Sequence, residues 1–175
     1  MTVRLLLTVW SIRLALLLFS LAVIARLCRV GRKVSENGGG WKEIRAIWVT
    51  GCLLAVVHVL AVFGYVMNWS HQAAIEDTTQ RTRQLIGLSF GGGVYFNYAF
   101  LLIWICDAMW WCRWPDHYLR RSLSWDVLVI GYLWFIAFNS AVVFESGVIR
   151  WLGLAASVAI AAAGCRVLVA RKRLR

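Results

Sequence analysis

The residues of this chain best able to do chemistry are a histidine and two acids in a polar stretch. His71, Glu76 and Asp77 could supply a metal site or an acid–base pair. However, a separation of five residues does not place His71 and Glu76 side by side on a helix, and no second histidine is near in the sequence. The pattern therefore argues against catalysis or metal binding here, and the sequence indicates no cofactor.

A second set of polar side chains falls inside apolar stretches, where polar groups are costly and therefore of functional interest. His58 and Asn97 are expected at similar depths of neighbouring spans, within hydrogen-bonding reach, with Tyr98 beside Asn97. One interpretation is a polar contact that joins two helices, and the other is a path for a small molecule or a proton. A haem held by two histidines is not indicated, because His71 and His117 lie outside the apolar stretches.

These residues belong to a chain that is both apolar and basic. Of its 175 residues 61% are hydrophobic and 15% are charged, and the formal net charge is +11. A soluble domain has about 45–50% apolar and about 25% charged residues, so the composition excludes a soluble domain, and it also excludes a disordered chain. We expect the partner of the basic charge to be the lipid bilayer and not nucleic acid.

Five apolar stretches are long enough to cross a membrane as helices. The predicted fold is an all-α polytopic transmembrane bundle of one domain, residues 1–175. Four spans would remain if the first were a cleaved signal peptide, but the heavier positive charge on its C-terminal flank favours retention. The predicted spans cover about residues 5–25, 46–67, 86–106, 127–144 and 151–170.

The basic residues alternate between loops in the manner that sets membrane orientation. Thirteen of the 19 Lys and Arg residues fall on the side of the C-terminus and four on the side of the N-terminus. We therefore expect a multi-pass protein with its N-terminus outside, its C-terminus cytoplasmic, and basic loops against anionic headgroups at the inner face. Arg13, within the first span, is expected to snorkel outward or to pair with Glu145. Asp126 is expected to cap the fourth span and to pair with the dipole of its helix.

The outer loop of residues 68–85 predicts a short amphipathic helix before the third span. Ser70 can cap a helix that begins at His71. With Trp69 as its anchor, this helix is expected to lie at the membrane interface. Its two faces carry His71, Ile75, Thr78 and Thr82 on one side and Glu76, Thr79 and Arg83 on the other.

Small residues recur on two predicted spans at a spacing that favours close helix packing. Such faces serve packing within the chain, or docking of a second copy or of another subunit. The glycine run at 91–93 has an alternative interpretation, a helix break that lines a cavity. The predicted packing positions are Gly87, Gly91, Gly153, Ser157 and Ala161.

One stretch of the chain carries a resemblance. It reads Trp69-Ser70-His71-x-Ala73-Ala74, then Thr78 and Thr82, then Gly91-Gly92-Gly93-x-Tyr95-Phe96-Asn97-Tyr98-Ala99-Phe100. This stretch resembles a motif of uncharacterised small membrane proteins of planctomycete-type bacteria. The resemblance implies a bacterial inner membrane and implies no activity, cofactor or catalytic residue. It singles out His71, Thr78, Thr82, Asn97 and Tyr98 for mutation.

Three functions are compatible with these observations. The leading hypothesis is a structural or accessory subunit of an inner-membrane assembly, because small-residue faces are present and a catalytic constellation is lacking. The second is a small transporter or channel that uses His58, Asn97 and the glycine run. The third is a membrane enzyme that acts at the outer surface through His71 and Glu76, which the sequence favours least.

Overall fold

The computed structural model describes residues 3–29 and 40–173, and this part of the chain is helical and contains no strand. Five of its helices are long and apolar enough to cross a membrane. The protein is therefore an all-α, multi-pass membrane protein, as the sequence predicts. After a short turn at Val3–Leu5 the helices are α1 (Leu6–Arg29), α2 (Trp41–Tyr65), α3 (His71–Ile86), α4 (Gly93–Arg113), α5 (Pro115–Leu119), α6 (Leu123–Val143) and α7 (Gly147–Arg173). All of these except α3 and α5 are the candidate membrane spans.

The predicted third span differs most from the structure. It was expected over residues 86–106, whereas α4 runs from Gly93 to Arg113. Gly87 has a φ of 75° and ends α3, because this left-handed conformation suits glycine. Gly91 and Gly92 then form a turn before α4 begins. Gly91 and Gly92 therefore precede the span and Gly93 begins it, so the prediction that the third span starts at about residue 86 and contains the whole run was wrong.

Neighbouring spans run in opposite directions, so the bundle has two end faces. Arg4 at the start of the chain lies over Tyr65 at the end of α2, with 5.4 Å between the guanidinium carbon and the ring centroid. We call the end that carries α3 the α3 face. The opposite end, which carries α5, is the α5 face. One turn of π-helix occurs in α1 (Leu6–Trp10) and one in α6 (Asn139–Val143), both towards the α3 face.

The centre of the bundle is aromatic. Phe19, Trp48 and Trp104 are buried, and their ring centroids lie 5.3 to 5.5 Å apart. Gly51 permits this packing, since a Cβ there would lie 3.1 Å from the Trp104 ring. Aromatic pairs of this geometry contribute about 0.5–1.5 kcal/mol beyond the burial of their surface. The aromatic core thus joins α1, α2 and α4.

The least covered span is α7. Only 11% of its spanning window is buried, against 28% in each of the other four spans. Gly153 does pack as predicted, because a Cβ there would lie 3.0 Å from the Ala141 side chain of α6. Ser157 is half-buried and Ala161 is exposed, while Ile160 provides a buried position instead. The small-residue face of α7 therefore packs against α6 only in its first turns and is exposed beyond them.

Candidate functional site: a buried charge network and a histidine–tyrosine cluster

Five polar side chains meet at the α5 face in what we call the charge network. Two of them, Arg121 and Asp107, have side chains that are 3% exposed, and the side chain of Arg26 is 8% exposed. Charges removed from water to this extent require partners. The members are Arg26 near the end of α1, Asp107 in α4, Tyr118 in α5, Arg121 in the turn that follows, and Asp126 in the first turn of α6.

Two short turns bring these side chains together. Pro115 is the first residue of α5, where its missing N–H costs no hydrogen bond. The α5 helix ends at Leu119, and α6 begins after Ser122, whose side chain accepts a hydrogen bond from the Trp125 backbone N–H at 3.4 Å. The cap of α6 is therefore Ser122, and the prediction that Asp126 caps this helix was wrong. Asp126 does lie in the first turn of α6, where a carboxylate pairs with the helix dipole as predicted. Asp126 is free to pair with arginine.

Tyr118 lies at the centre of the charge network. Its hydroxyl accepts from Nη1 of Arg26 at 2.6 Å and donates to Oδ2 of Asp107 at 2.7 Å. Nη2 of Arg26 lies 2.6 Å from Oδ1 of Asp126. Arg121 bridges the two carboxylates, donating through Nη1 to Asp107 and through Nε to Asp126. Two arginines thus offset two aspartates, and each carboxylate faces two donors.

Aromatic rings shield the charge network from solvent. Trp111 stacks on Tyr118, with centroids 4.5 Å apart and ring planes at 11°. Trp110 meets the same ring edge-on at 5.8 Å. The guanidinium carbon of Arg121 lies 4.0 Å from the Tyr118 centroid and that of Arg26 lies 4.8 Å from it. Such cation–π contacts contribute about 0.5–2 kcal/mol, most where water is excluded.

Two members of the charge network, Tyr118 and Arg121, are held in defined protonation states by their surroundings. Burial raises the pKa of the Tyr118 phenol well above its ordinary value, so the hydroxyl stays protonated at neutral pH. Burial opposes the charge of Arg121, but the carboxylates of Asp107 and Asp126 hold the pKa of this guanidinium above its ordinary value. Nη2 of Arg121 is buried with no hydrogen-bond partner among the described residues. The network is thus suited to holding α1, α4 and α6 together at one end.

A histidine–tyrosine cluster lies at the α3 face. Nδ1 of His71 is 3.0 Å from the Tyr98 hydroxyl, and Nε2 is 3.4 Å from the Tyr95 hydroxyl. Ser70 caps α3 as predicted, accepting from the Ala73 backbone N–H at 3.2 Å. Because a tyrosine hydroxyl both donates and accepts, the cluster can satisfy neutral and protonated imidazole alike. The structure therefore brings two residues singled out by the sequence, His71 and Tyr98, into contact across two helices.

One of the two predicted threonines serves the same helix contact. The hydroxyls of Thr78 and Thr82 each donate to a carbonyl one turn earlier, at 2.8 Å. Thr78 also faces the start of α4, because a Cβ on Gly93 would lie 3.0 Å from its methyl group. Both hydroxyls are thus satisfied within α3, and Thr78 helps to dock α3 on α4.

The glycines near α3 have two different roles. At Gly91 a Cβ would lie 2.5 Å from Oγ1 of Thr79 and 2.7 Å from the Ile75 side chain, so this residue packs as predicted. At Gly87 nothing lies within 4 Å of the position of a Cβ. The prediction that Gly87 is a packing position was wrong, because its role is to end α3.

Other predicted residues are not brought together. Nδ1 of His58 is buried and has no hydrogen-bond partner in the described part of the chain, and Asn97 is exposed. The expected hydrogen bond between them is therefore absent. Glu76 is exposed on α3, whereas His71 contacts the tyrosines of α4 instead. Within residues 3–29 and 40–173, no three His, Cys, Asp or Glu side chains are arranged to hold a metal ion.

Arg13 lies against a tryptophan of its own helix, and its Nε is buried with no hydrogen-bond partner among the described residues. Its guanidinium carbon lies 5.5 Å from the Trp10 ring, which is one turn nearer the start of α1. The expected pair with Glu145 is not formed among the described residues. The guanidinium thus lies beside an exposed tryptophan on the side of the α3 face, and the snorkelling of Arg13 stays a prediction.

Comparison with known proteins adds no family to this description. No protein-family model, curated protein or solved structure matches the chain.

Proposed function

We propose that the protein is a structural or accessory subunit of a larger assembly in the bacterial inner membrane. The observation that carries this proposal is the poor coverage of α7, which has 11% of its spanning window buried against 28% for every other span. A helix with so little of its spanning window buried within its own chain has most of its surface available to another helix.

The composition of the uncovered surface supports a protein partner for α7. Ala161 and Cys165 are both exposed and continue the four-residue repeat that begins with Gly153 and Ser157. Small residues at this spacing let two helix backbones approach closely, which is the main source of helix association in lipid. A second copy and a different subunit would both use this surface.

The charge network supports a scaffold role. Its arginines and aspartates pair with one another, and Tyr118 hydrogen-bonds to both kinds of group. A buried network of this kind sets the mutual position of helices more than it adds stability. An accessory subunit needs this rigidity, because it presents a fixed surface to its partners.

The orientation proposed from the sequence puts the α5 face in the cytoplasm and the α3 face outside. It is supported by the distribution of basic residues, thirteen on the first side and four on the second. Exposed basic residues on the α5 face are available to anionic headgroups, each contributing about 1 kcal/mol near a charged surface. They include Lys42, Arg113 and Arg120.

The transporter and enzyme alternatives have less support. The transporter hypothesis relied on a polar pair of His58 and Asn97 and on a glycine break within a span. Nδ1 of His58 has no hydrogen-bond partner among the described residues, Asn97 is exposed, and the glycine run lies at the start of α4 and not within the span. The enzyme hypothesis relied on His71 and Glu76, and His71 contacts Tyr98 instead.

The proposal is tested by photo-cross-linking in the native membrane. A benzophenone amino acid is introduced at Val158 of α7, which is 67% exposed, and, as the matched control, at Leu102 of α4, which is 63% exposed. We expect a discrete protein adduct from Val158 and only lipid adducts from Leu102. In mild detergent the purified protein should have a mass above that of one chain. A monomer by mass, with lipid adducts alone at Val158, would refute the proposal.

A further inference from the structure

An exposed apolar segment joins α3 to α4, and we call residues Leu85–Phe90 the apolar turn. Four of its residues are large and apolar, and their exposed fractions are 46% for Leu85, 62% for Ile86, 62% for Leu88 and 52% for Phe90. None of the four lies in a span. Exposed apolar surface of this kind, outside the spans, marks a contact with lipid or with protein.

The position of the apolar turn in the chain favours lipid. The span α4 begins at Gly93, three residues after Phe90, so the turn lies at the boundary of the membrane. The first turn of α4 exposes Tyr95 (57%) and Phe96 (52%), which belong to the surface that spans present to lipid. The apolar turn therefore continues an existing lipid-facing surface.

The end of α3 has the charge that a lipid surface attracts. Arg83 is exposed two residues before the apolar turn begins. The side chain of Arg81 is 61% exposed and pairs with Asp77 at 2.7 Å. Arginines beside a membrane-inserted segment extend to the phosphate groups of lipids while their stems cover apolar surface. The apolar side chains suit the acyl layer of a leaflet, and the neighbouring arginines suit its phosphate layer.

The contacts of α3 leave the apolar turn free to insert. The helix is held on α4 through Ala74, Thr78 and the glycine run, towards its first half and middle. Gly87 ends α3 with open space around it, so no other part of the described chain covers the turn there. We propose that the apolar turn inserts into the acyl region of the adjoining leaflet and holds α3 flat on the membrane surface. This inference does not depend on the subunit role proposed above.

The test measures the depth of single fluorescent labels in the full-length protein. Cysteines are introduced at Ile86 and at Leu88 in a background whose five native cysteines are replaced, and each is labelled with an environment-sensitive dye. Controls are labelled at Gln80, an exposed residue in the middle of α3, and at Leu102, a lipid-exposed residue of α4. The proteins are reconstituted in phosphatidylcholine nanodiscs, with nitroxide-bearing lipid or aqueous iodide as quencher.

Insertion predicts that labels at Ile86 and Leu88 are quenched by the nitroxide lipid as strongly as the label at Leu102. Iodide should quench them severalfold less than it quenches the label at Gln80. Two outcomes would overturn the proposal. Iodide quenching equal to that at Gln80 would mean that the turn lies in water. Protection from both quenchers would mean that a second copy or another protein covers it. Because Ile86 and Leu88 are labelled in separate variants, agreement between them excludes a change in depth caused by one substitution alone.

Discussion

Arg26 and Asp126 form an ion pair at 2.6 Å although 100 residues separate them in the sequence. The pair joins the end of α1 to the start of α6, and the Arg26 side chain is 8% exposed. Replacement of such a pair by apolar residues can be neutral, but loss of one partner leaves an unpaired charge away from water. The pair therefore fixes where two distant helices meet.

Substitution of Asp126 by asparagine should lower the free energy of unfolding by about 2–3 kcal/mol. This is less than the about 3–5 kcal/mol of a fully buried pair, because the Asp126 side chain is 23% exposed. Two arginines lose a charged partner at once. The measurement is unfolding in mixed micelles with increasing denaturing detergent, followed by circular dichroism.

The matched control for this substitution is Asp77→Asn in α3. Asp77 also pairs with an arginine, but that pair is exposed and lies within one helix, so its loss should cost at most about 0.5 kcal/mol. The double variant Arg26→Met with Asp126→Leu should recover part of the stability lost in Asp126→Asn, since no unpaired Arg26 remains. Equal losses for Asp126→Asn and Asp77→Asn would contradict a structural role of the network.

Removal of the Tyr118 hydroxyl should be costly although the ring stays in place. In Tyr118→Phe the stacking on Trp111 is retained, but Nη1 of Arg26 and Oδ2 of Asp107 lose their partner. Because two buried charged groups each lose a hydrogen bond, we expect the free energy of unfolding to fall by about 2–4 kcal/mol. Tyr132→Phe is the control, because its hydroxyl bonds to the Phe96 carbonyl at an exposed site. Thermal unfolding of both variants in detergent measures the difference.

The raised pKa of Tyr118 predicts a loss of stability in alkali. The folded protein holds the phenolic proton more tightly than the unfolded chain, in which tyrosine has a pKa of about 10. The retained phenolic proton of Tyr118 therefore stabilises the fold fully while the pH is below about 10, and this stabilisation is lost as the pH rises further. Unfolding free energies measured from about pH 8 to about pH 11 should fall more steeply for the wild type than for Tyr118→Phe. Parallel curves would mean that Tyr118 titrates normally in the folded state.

The features that the sequence predicted depend on local properties of the chain. Five spans follow from the length of apolar stretches, and the start of α3 follows from the capping ability of Ser70. Arg26 and Arg121 were interpreted only as orientation signals, because their partners lie on other helices and periodicity gives no information about them. The burial of Arg26 and Arg121 shows that the count of Lys and Arg used to assign orientation includes charges held inside the bundle as well as charges in solvent.

The charge network could have been suspected from one residue. Asp107 stands between Ile105-Cys106 and Ala108-Met109, in an apolar surrounding where a carboxylate needs a partner. It was overlooked because the third span was predicted to end at residue 106. That error arose from placing the glycine run at 91–93 inside a helix, whereas Gly91 and Gly92 form the turn before α4 and the run provides the surface on which α3 docks.

Substitution of Gly91 by alanine should loosen the docking of α3. A methyl group there would lie 2.5 Å from Oγ1 of Thr79 and 3.0 Å from the Ile75 carbonyl oxygen, and the backbone of α3 cannot move aside alone. Such overpacking costs about 1–3 kcal/mol. Trypsin, which cleaves after Arg81 and Arg83, should cut Gly91→Ala severalfold faster than the wild type at these sites.

Gly164→Ala in α7 is the control for this experiment. Nothing lies within 4 Å of the position of a Cβ on Gly164, and alanine is favoured over glycine within a helix by about 1 kcal/mol. This variant should keep the wild-type rate of cleavage in α3 and equal or greater thermal stability. Adding Thr79→Ala to Gly91→Ala removes the closest clash and should restore part of the resistance to trypsin. If Gly91→Ala were cleaved at the wild-type rate, the glycine run would not be the surface that positions α3.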